Sequence, residues 1–337
     1  MASRVTLKDV AAQAGVSLAT TSRALAGKSN ASPKAREKVL AAASELNYTP
    51  NILARSLRSA KTHAVGLLVS DIRNPHFASL AHCIQTTLLT ELGYSTILGN
   101  ASEDARLQDL FLEHVSQQRI DGLIIAPQQG PSEALEAVVS RGLPTVFVDR
   151  IAAGFDVPYV CSDSRPGIEE ALDHLQELGH RTVGFVAGPQ GTSTGSERVE
   201  CFRQGAPHRY GAGAHVEMSS ADSRTGAPAT ERLLSLGCTA IVYGYAPHVV
   251  GGLDVIERRG LRIPDDVSLI AFDDQPTFRF FRPRLTVIRQ DVDAMGRAAV
   301  RLLQETMAGQ PTQSLRLTTE VIVRESTAAP IRKGGRA

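Results

Sequence analysis

From Ala64 onward, short β-branched runs alternate with longer amphipathic segments, and this rhythm restricts the fold more than any other feature of the chain. Ala64 to Ser70, Tyr94 to Leu98, Gly122 to Ile125 and Thr145 to Val148 read as buried strands, with helices expected at about Pro75 to Leu92, Ser102 to Gln118 and Ser132 to Arg141. The rhythm recurs, with strands near Thr182 to Ala187, Ala240 to Val242 and Ser268 to Phe272 and helices near Gly167 to Leu178, Thr225 to Leu236 and His248 to Arg259. Strands that alternate with helices form parallel sheets through right-handed crossovers. Two rounds predict an α/β core, residues 63–330, of two doubly wound parallel-sheet lobes, one about 63–162 and the other about 163–290. The helix at Val292 to Met307 and the segment Ser314 to Arg324 are expected to return and complete the first lobe, as residues 291–325.

At 337 residues the chain has room for two or three domains. It contains no apolar run of about 18 residues that would span a bilayer, and Met1 to Lys8 carry no signal-length apolar stretch. A cytoplasmic protein without membrane partners is expected. Cys83, Cys161, Cys201 and Cys238 are scattered without a C-x-x-C pair, and the nine histidines show no H-E-x-x-H spacing, so neither metal nor cofactor is expected. The chain also lacks G-x-S-x-G, G-x-x-x-x-G-K-[ST] and G-x-G-x-x-G. It is read as no enzyme, and an exported solute-binding protein would carry a leader and would not need a basic first segment.

That segment is distinctive. Residues 1–62 hold ten Lys or Arg against three Asp or Glu, a net +7, whereas the remaining 26 basic and 32 acidic residues give −6. A basic segment on a mildly acidic body suits a polyanion, because cationic side chains near phosphates release condensed counterions. Thr6 can cap a helix whose apolar positions are 7, 10, 11 and 14, Gly15 ends it, and Ser17 can cap a second helix through Leu25. Helix, tight glycine turn, helix is the pattern whose second member enters the DNA major groove. That member exposes Ser17, Leu18, Ala19, Thr20, Ser22 and Arg23. Arg23 suits bidentate pairing with guanine, while Leu18 and Ala19 offer apolar contact such as a thymine methyl. A third helix is expected from Ser32 and Pro33 to about Leu46. Asn51 to Arg58 forms a helical stretch too short to be stable alone. It is either a linker or a hinge helix ordered by a partner chain and a minor groove, with Leu57 as the wedge between base steps.

The run V-T-L-K-D-V-A-A-Q-A-G-V-S-L-A-T-T-S-R-A-L-A-G, followed by R-E-K-V-L-A-A-A-S-E-L-N-Y-T-P-N-I-L-A-R-S-L, resembles the headpiece and hinge of the lactose-repressor/galactose-repressor (LacI/GalR) family. The resemblance implies an all-α helix-turn-helix headpiece over 1–49 and a hinge helix and linker over 50–62. It places Leu18, Ala19 and Arg23 at bases, Thr6, Ser17, Ser22, Asn30, Ser32 and Tyr48 near phosphates, and Leu57 at the wedge, with Leu7, Thr20, Asn51 and Ala54 completing the candidate DNA contacts. Ala26 stands where the family often has Asn.

The motifs D-I-R-N-P-H-F, D-G-L-I-I, V-D-R, H-L-Q-E-L-G-H-R-T-V-G-F-V-A-G-P, I-P-D-D-V-S-L-I-A-F-D-D and L-T-V-I-R-Q-D carry the resemblance through the core. They imply a periplasmic-binding-protein-like fold whose lobes close on an effector. Loops beyond the carboxyl ends of parallel strands are where such sheets bind ligands, and those loops hold Asp71, Asn74, Asp149 and Asp273. Several carboxylates and guanidiniums there suit a hydroxylated or charged small molecule, a sugar or related metabolite, although Asp71 and Asp163 fit equally well as helix caps. The family's effector positions match at Asp149, Arg198, Asp273 and Gln290, and Phe77 and Tyr245 complete the candidate set. Two departures stand out. Tyr245 and Ala246 replace the usual Asn-Asp pair, which points to an effector that is aromatic or less hydroxylated, or to weakened sensing. Gly205 to Gly213 is expected to interrupt and shorten a helix. The resemblance implies a dimeric repressor on palindromic double-stranded operator DNA, and without leucine heptads after Arg324 no tetramer-forming appendage is expected.

Overall fold

The computed structural model describes residues 5–25, 32–48 and 62–331. These fall into two compact units that divide after Thr62. In the first, helices α1 (Leu7–Ala14), α2 (Leu18–Leu25) and α3 (Pro33–Glu45) bury Val10, Ala14, Ala24, Val39, Ala42 and Ala43 against one another, with Val16, Leu46 and Tyr48 packed on that core. Mostly small side chains let the three backbones approach closely. Local chemistry sets the ends. The Asp9 carboxylate accepts from the Thr6 N–H at 2.7 Å and from its hydroxyl at 2.8 Å, closing the first turn. Gly15 stops α1 at φ 66°, a left-handed conformation that costs glycine nothing. The Ser17 hydroxyl then accepts from the Thr20 N–H at 3.1 Å, and the Ser32 hydroxyl caps α3.

The second unit contains two six-stranded sheets. The first runs β11 (Leu315–Thr318), β5 (Tyr159–Asp163), β4 (Thr145–Val148), β3 (Gly122–Ile125), β1 (Ala64–Val69), β2 (Ser95–Asn100), every pair parallel. The second runs β12 (Glu320–Ile322), β10 (Thr286–Arg289), β9 (Ser268–Phe272), β8 (Ala240–Tyr243), β6 (Val183–Pro189), β7 (Ala214–Ser219), with only β12 antiparallel. Helices α4 (Pro75–Leu92), α5 (Ala105–Gln117), α6 (Glu133–Ser140) and α11 (Val292–Met307) flank the first sheet. Helices α7 (Ser164–Glu177), α8 (Ser193–Tyr210), α9 (Gly226–Ser235) and α10 (His248–Arg258) flank the second. Each sheet is covered on both faces, so β3, β4, β6, β8 and β9 are buried along their whole length. Continuous apolar runs rather than alternation follow from that double covering.

Two expectations need correction. The segment Ser314 to Arg324 does not all return to the first lobe: β11 joins the first sheet, but β12 pairs with β10 in the second. The residues that follow are tied there too, the Leu269 N–H donating to the Ser326 carbonyl at 2.8 Å and the Ala328 N–H to the Ser268 hydroxyl at 3.1 Å. The chain therefore passes between lobes three times, near Asp163, Gln290 and Thr319. The Thr319 hydroxyl laces two passages together, donating to the Asp163 carbonyl and accepting from the Gly167 N–H. The second correction is that α8 continues through Gly205 and Pro207 to Tyr210, and only Gly211 ends it. Burial of Ala206 and the Tyr210 hydroxyl's bond to the Leu172 carbonyl hold that last turn against α7 despite the poor helix formers.

His180 fastens the tail. Its Nε2 lies 3.0 Å from the Ala328 carbonyl, which can only accept, so Nε2 carries the proton and Nδ1 accepts from the Thr239 hydroxyl at 2.8 Å. Burial pushes this imidazole down to about 4. The unfolded chain, with an ordinary histidine near 6.5, binds the extra proton between those values. Stability is complete above about pH 6.5 and is lost as the pH falls toward 4. The urea midpoint is therefore expected to drop more steeply from pH 7 to pH 5 in the native protein than in His180→Gln; equal drops would refute the assignment.

Candidate functional site

In the first unit, the α2 surface carries the side chains expected at bases. Leu18 is 41% exposed and Ala19 and Arg23 are exposed, whereas Thr20 and Ser22 are half-buried. Leu18 is a large apolar side chain left exposed on this surface, whereas Thr21, one turn on, is buried. The Arg23 Nε donates to the Ala19 carbonyl at 3.2 Å, leaving the rest of its guanidinium forward. Thr6, Ser17 and Ser32 are exposed at helix N-termini, where N–H groups favour phosphate, and Leu7, next to Thr6, and Tyr48, after α3, are half-buried. Asn30, Asn51, Ala54 and Leu57, together with Ala26, lie outside the described residues.

In the second unit the candidate side chains come from the carboxyl ends of strands in both lobes. Asp149 follows β4 and Asp273 follows β9, equivalent places in the two sheets, and both take a left-handed backbone, φ 64° and 68°. Such a conformation is tolerated by aspartate and turns its side chain off the strand line. Asp149, Arg198, Tyr245, Asp273 and Gln290 are all at least nine-tenths buried. The Gln290 Nε2 donates to Asp273 Oδ1 at 2.5 Å. Arg198, from α8, donates to the Gly244 carbonyl at 2.9 Å and lies 3.7 Å over the Phe272 ring. Asn74 caps α4 and also receives Gln275 Nε2 from the other lobe at 3.3 Å. Phe77 belongs to the first lobe's core, and the Arg150 guanidinium lies 5.5 Å from its ring centre. Asp71 accepts from the Arg73 backbone and guanidinium in the loop before α4, and Asn74, not Asp71, caps that helix.

Three residues at this site went unrecognised as contacts in the sequence. His76 stands between the aspartates, Nε2 at 2.8 Å from Asp149 Oδ1 and Nδ1 at 3.6 Å from Asp273 Oδ1. Glu103 takes Arg150 in a two-pronged pair at 2.7 Å each, and Gln275 crosses the lobes. The available signal was position: His76 begins a helix directly after a strand, where ligand groups gather. Burial alone would push Asp149 up, but His76, Arg150 and Arg198 hold it below the usual carboxylate range. Burial raises the Tyr245 phenol, with Glu103 adding to the shift. It stays a neutral donor at the cleft wall.

Of seven buried side-chain polar atoms without a hydrogen-bond partner among the described residues, four converge here: His76 Nδ1, Arg150 Nε, Arg198 Nε and Gln290 Oε1. Unsatisfied buried polar groups each cost about 1–3 kcal/mol, so their concentration marks a place built for another molecule's polar atoms. A cavity of about 350 Å³ is lined by His76, Asp273, Gln275 and Gln290 themselves, and a separate one of about 500 Å³ is lined by Glu103, Gln128 and Gln129 and, from the second lobe, by Gln190, Thr192, Ser219 and Ser220. Among the described residues no group of three or more metal-liganding side chains occurs, and no helix is long and apolar enough to cross a membrane.

Residues 6–51 match the bacterial regulatory proteins of the lacI family, and residues 172–327 match a periplasmic binding protein-like domain. The chain is 32% identical to the HTH-type transcriptional regulator MalR of Streptomyces coelicolor over 98% of both chains. The chain belongs to the LacI family. It is 32% identical to the ribose operon repressor of Halalkalibacterium halodurans, again over 98% of each. Among solved structures, the lac repressor dimer bound to operator and the anti-inducer ONPF superposes with a TM-score of 0.86 at 26% identity, covering 97% of this chain and all of that one. A complex of the regulator CelR with cellobiose gives 0.70 at 28% identity, over 96% of this chain and all of that one. This LacI-family member is thus a helix-turn-helix transcription regulator with a two-lobed, periplasmic-binding-protein-like sensing core.

Proposed function

We propose that this regulator represses transcription by binding a palindromic operator as a homodimer, and that a small-molecule effector bound between the core lobes changes its operator affinity. The convergence of Asp149, Arg198, Asp273 and Gln290 with the unpartnered Arg150 Nε, Arg198 Nε and Gln290 Oε1 carries the effector reading. The relatives' names support it: the lac repressor structure holds operator and ONPF, and CelR holds cellobiose. On the DNA side, Leu18, Ala19 and Arg23 read bases, residues from Thr6 to Tyr48 position phosphates, and Leu57 wedges the minor groove. The protein acts in the cytoplasm, where its DNA is. It has no catalytic role, since both ring nitrogens of His76, the cleft's buried base, face carboxylates rather than a hydroxyl or thiol to activate.

Dimerisation is supported by exposed large apolar side chains: Leu89, Leu98 and Leu110 around β2 in the first lobe, and Val250 and Phe280 in the second, Phe280 being 79% exposed. Exposed large apolar side chains lose water when a partner covers them, which favours association. Phe280→Glu is expected to weaken self-association by at least about tenfold, read by analytical ultracentrifugation. A dimer unchanged in strength would remove Phe280 from the interface.

Selection of sites from random duplex DNA at a stated salt concentration tests the whole reading. Two inverted half-sites, released by a component of a metabolite mixture, are the expected result. A single asymmetric motif would overturn the dimer, and no release by any component would overturn the effector site.

A further inference from the structure

His76 is 6% exposed and reaches two carboxylates from opposite sides of one ring. Asp149 belongs to its own lobe; Asp273 belongs to the other. The charged groups facing it are these two, Arg198 from α8 and, beside Asp149, Arg150, which Glu103 already neutralises. Gln290, the remaining polar neighbour, spends its amide N–H on the same Asp273 oxygen that faces His76 Nδ1. We propose that His76 is a positioning residue whose imidazolium clasps the two lobes through Asp149 and Asp273, so that closing the cleft takes up a proton. The proposal rests on reading this cleft as the effector site and adds how that site is regulated.

The argument is one of donors and acceptors. A neutral ring that donates from Nε2 to Asp149 turns a bare lone pair on Nδ1 toward the carboxylate of Asp273, in a place with no other donor to satisfy it. The protonated ring offers an N–H to each aspartate. Burial by itself disfavours the cation, yet the two carboxylates outweigh it and hold His76 above the ordinary histidine value. Opening the lobes carries Asp273 away with β9 and admits water to Nδ1, which removes the preference. The closed form therefore binds the proton more tightly than the open one. By linkage, the closed form is favoured as the pH falls through the raised value toward the ordinary 6.5, and loses that advantage above it, by up to about tenfold per pH unit within that window. An effector that selects the closed cleft binds more tightly on acidification by the same factor.

Two readouts on the full-length chain, with the proton as the only ligand, test this. The first is the midpoint of the His76 ring resonance, assigned with His76→Gln and followed in Asp273→Asn, which keeps the side chain's shape. A midpoint lower in Asp273→Asn than in the native protein is expected; an unchanged midpoint overturns the clasp. The second is the hydrogen-exchange protection factor of the Ile151 amide, whose bond to the Ser193 hydroxyl at 2.9 Å exists only while the lobes meet. Its protection is expected to fall as the pH rises through the His76 midpoint, and to stay flat in His76→Gln. Equal pH dependence in both proteins, or none in the native one, refutes the proposal. Since no effector is present, failure here leaves the effector reading standing, and failure of the metabolite release leaves these titrations valid.

Discussion

Replacing Arg198 with alanine is expected to leave a regulator that holds its operator and no longer answers to its effector. The guanidinium is fixed from two sides, by the Gly244 carbonyl at 2.9 Å and by the face of Phe272 at 3.7 Å, and its Nε has no partner. A buried charged donor held this rigidly contributes roughly 1.5–3 kcal/mol to a ligand acceptor. Its removal also lets water into a cleft where Asp149 and Asp273 are kept nearly dry. An effector affinity lower by about 10- to 100-fold follows, since every 1.4 kcal/mol is tenfold. The helix-turn-helix unit has its own core of Val10, Val39 and their neighbours and is untouched by the change. Arg198→Lys should fail almost as badly, because an ammonium lacks the planar fork that both bonds and stacks. Operator binding with and without the released metabolite checks this; a normal effector shift in Arg198→Ala would take Arg198 out of the site.

The largest loss of stability is expected from Phe202→Ala. Phe202 is 1% exposed and packs at 4.9 Å, ring to ring, on the fully buried Phe185 of β6. Val199, Cys201, Ala206 and Tyr210 of α8 and Leu172 and Leu175 of α7 share the same core. Truncating a buried phenylalanine costs about 3–5 kcal/mol, made of lost transfer energy and the cavity left behind. Because a domain's total stability is about 5–15 kcal/mol, the second lobe would be left marginal. Denaturant unfolding of the full chain should show an unfolding free energy for the core lowered by about that amount and a correspondingly lower midpoint. A loss below about 1 kcal/mol would mean that the helix is not packed as described.

Much of the molecule was legible from residues in order. Gly15 between two capped amphipathic helices specified the headpiece turn, and alternation between β-branched runs and 3.6-residue periodicity specified two parallel sheets, because both patterns report burial along a single element. Pro75–Leu92 and Ser268–Phe272 have the boundaries expected of them. The strands β5, β7 and β10 were not foreseen, and helix α8 was expected shorter than it is, since these elements are short or carry few apolar residues and owe their form to neighbours already in place.

What the residue order determined by itself was which side chains would sit at strand ends: Asp71, Asp149 and Asp273 are there because parallel strands all point their carboxyl ends the same way. Only the tertiary structure decided which of them meet. That β12 and the tail fasten to the second lobe, that His76 of one lobe faces an aspartate of the other, and that Arg150 lies against the Phe77 ring are contacts between residues from about 30 to about 200 positions apart. Such contacts depend on where whole layers pack, and local periodicity carries no record of it.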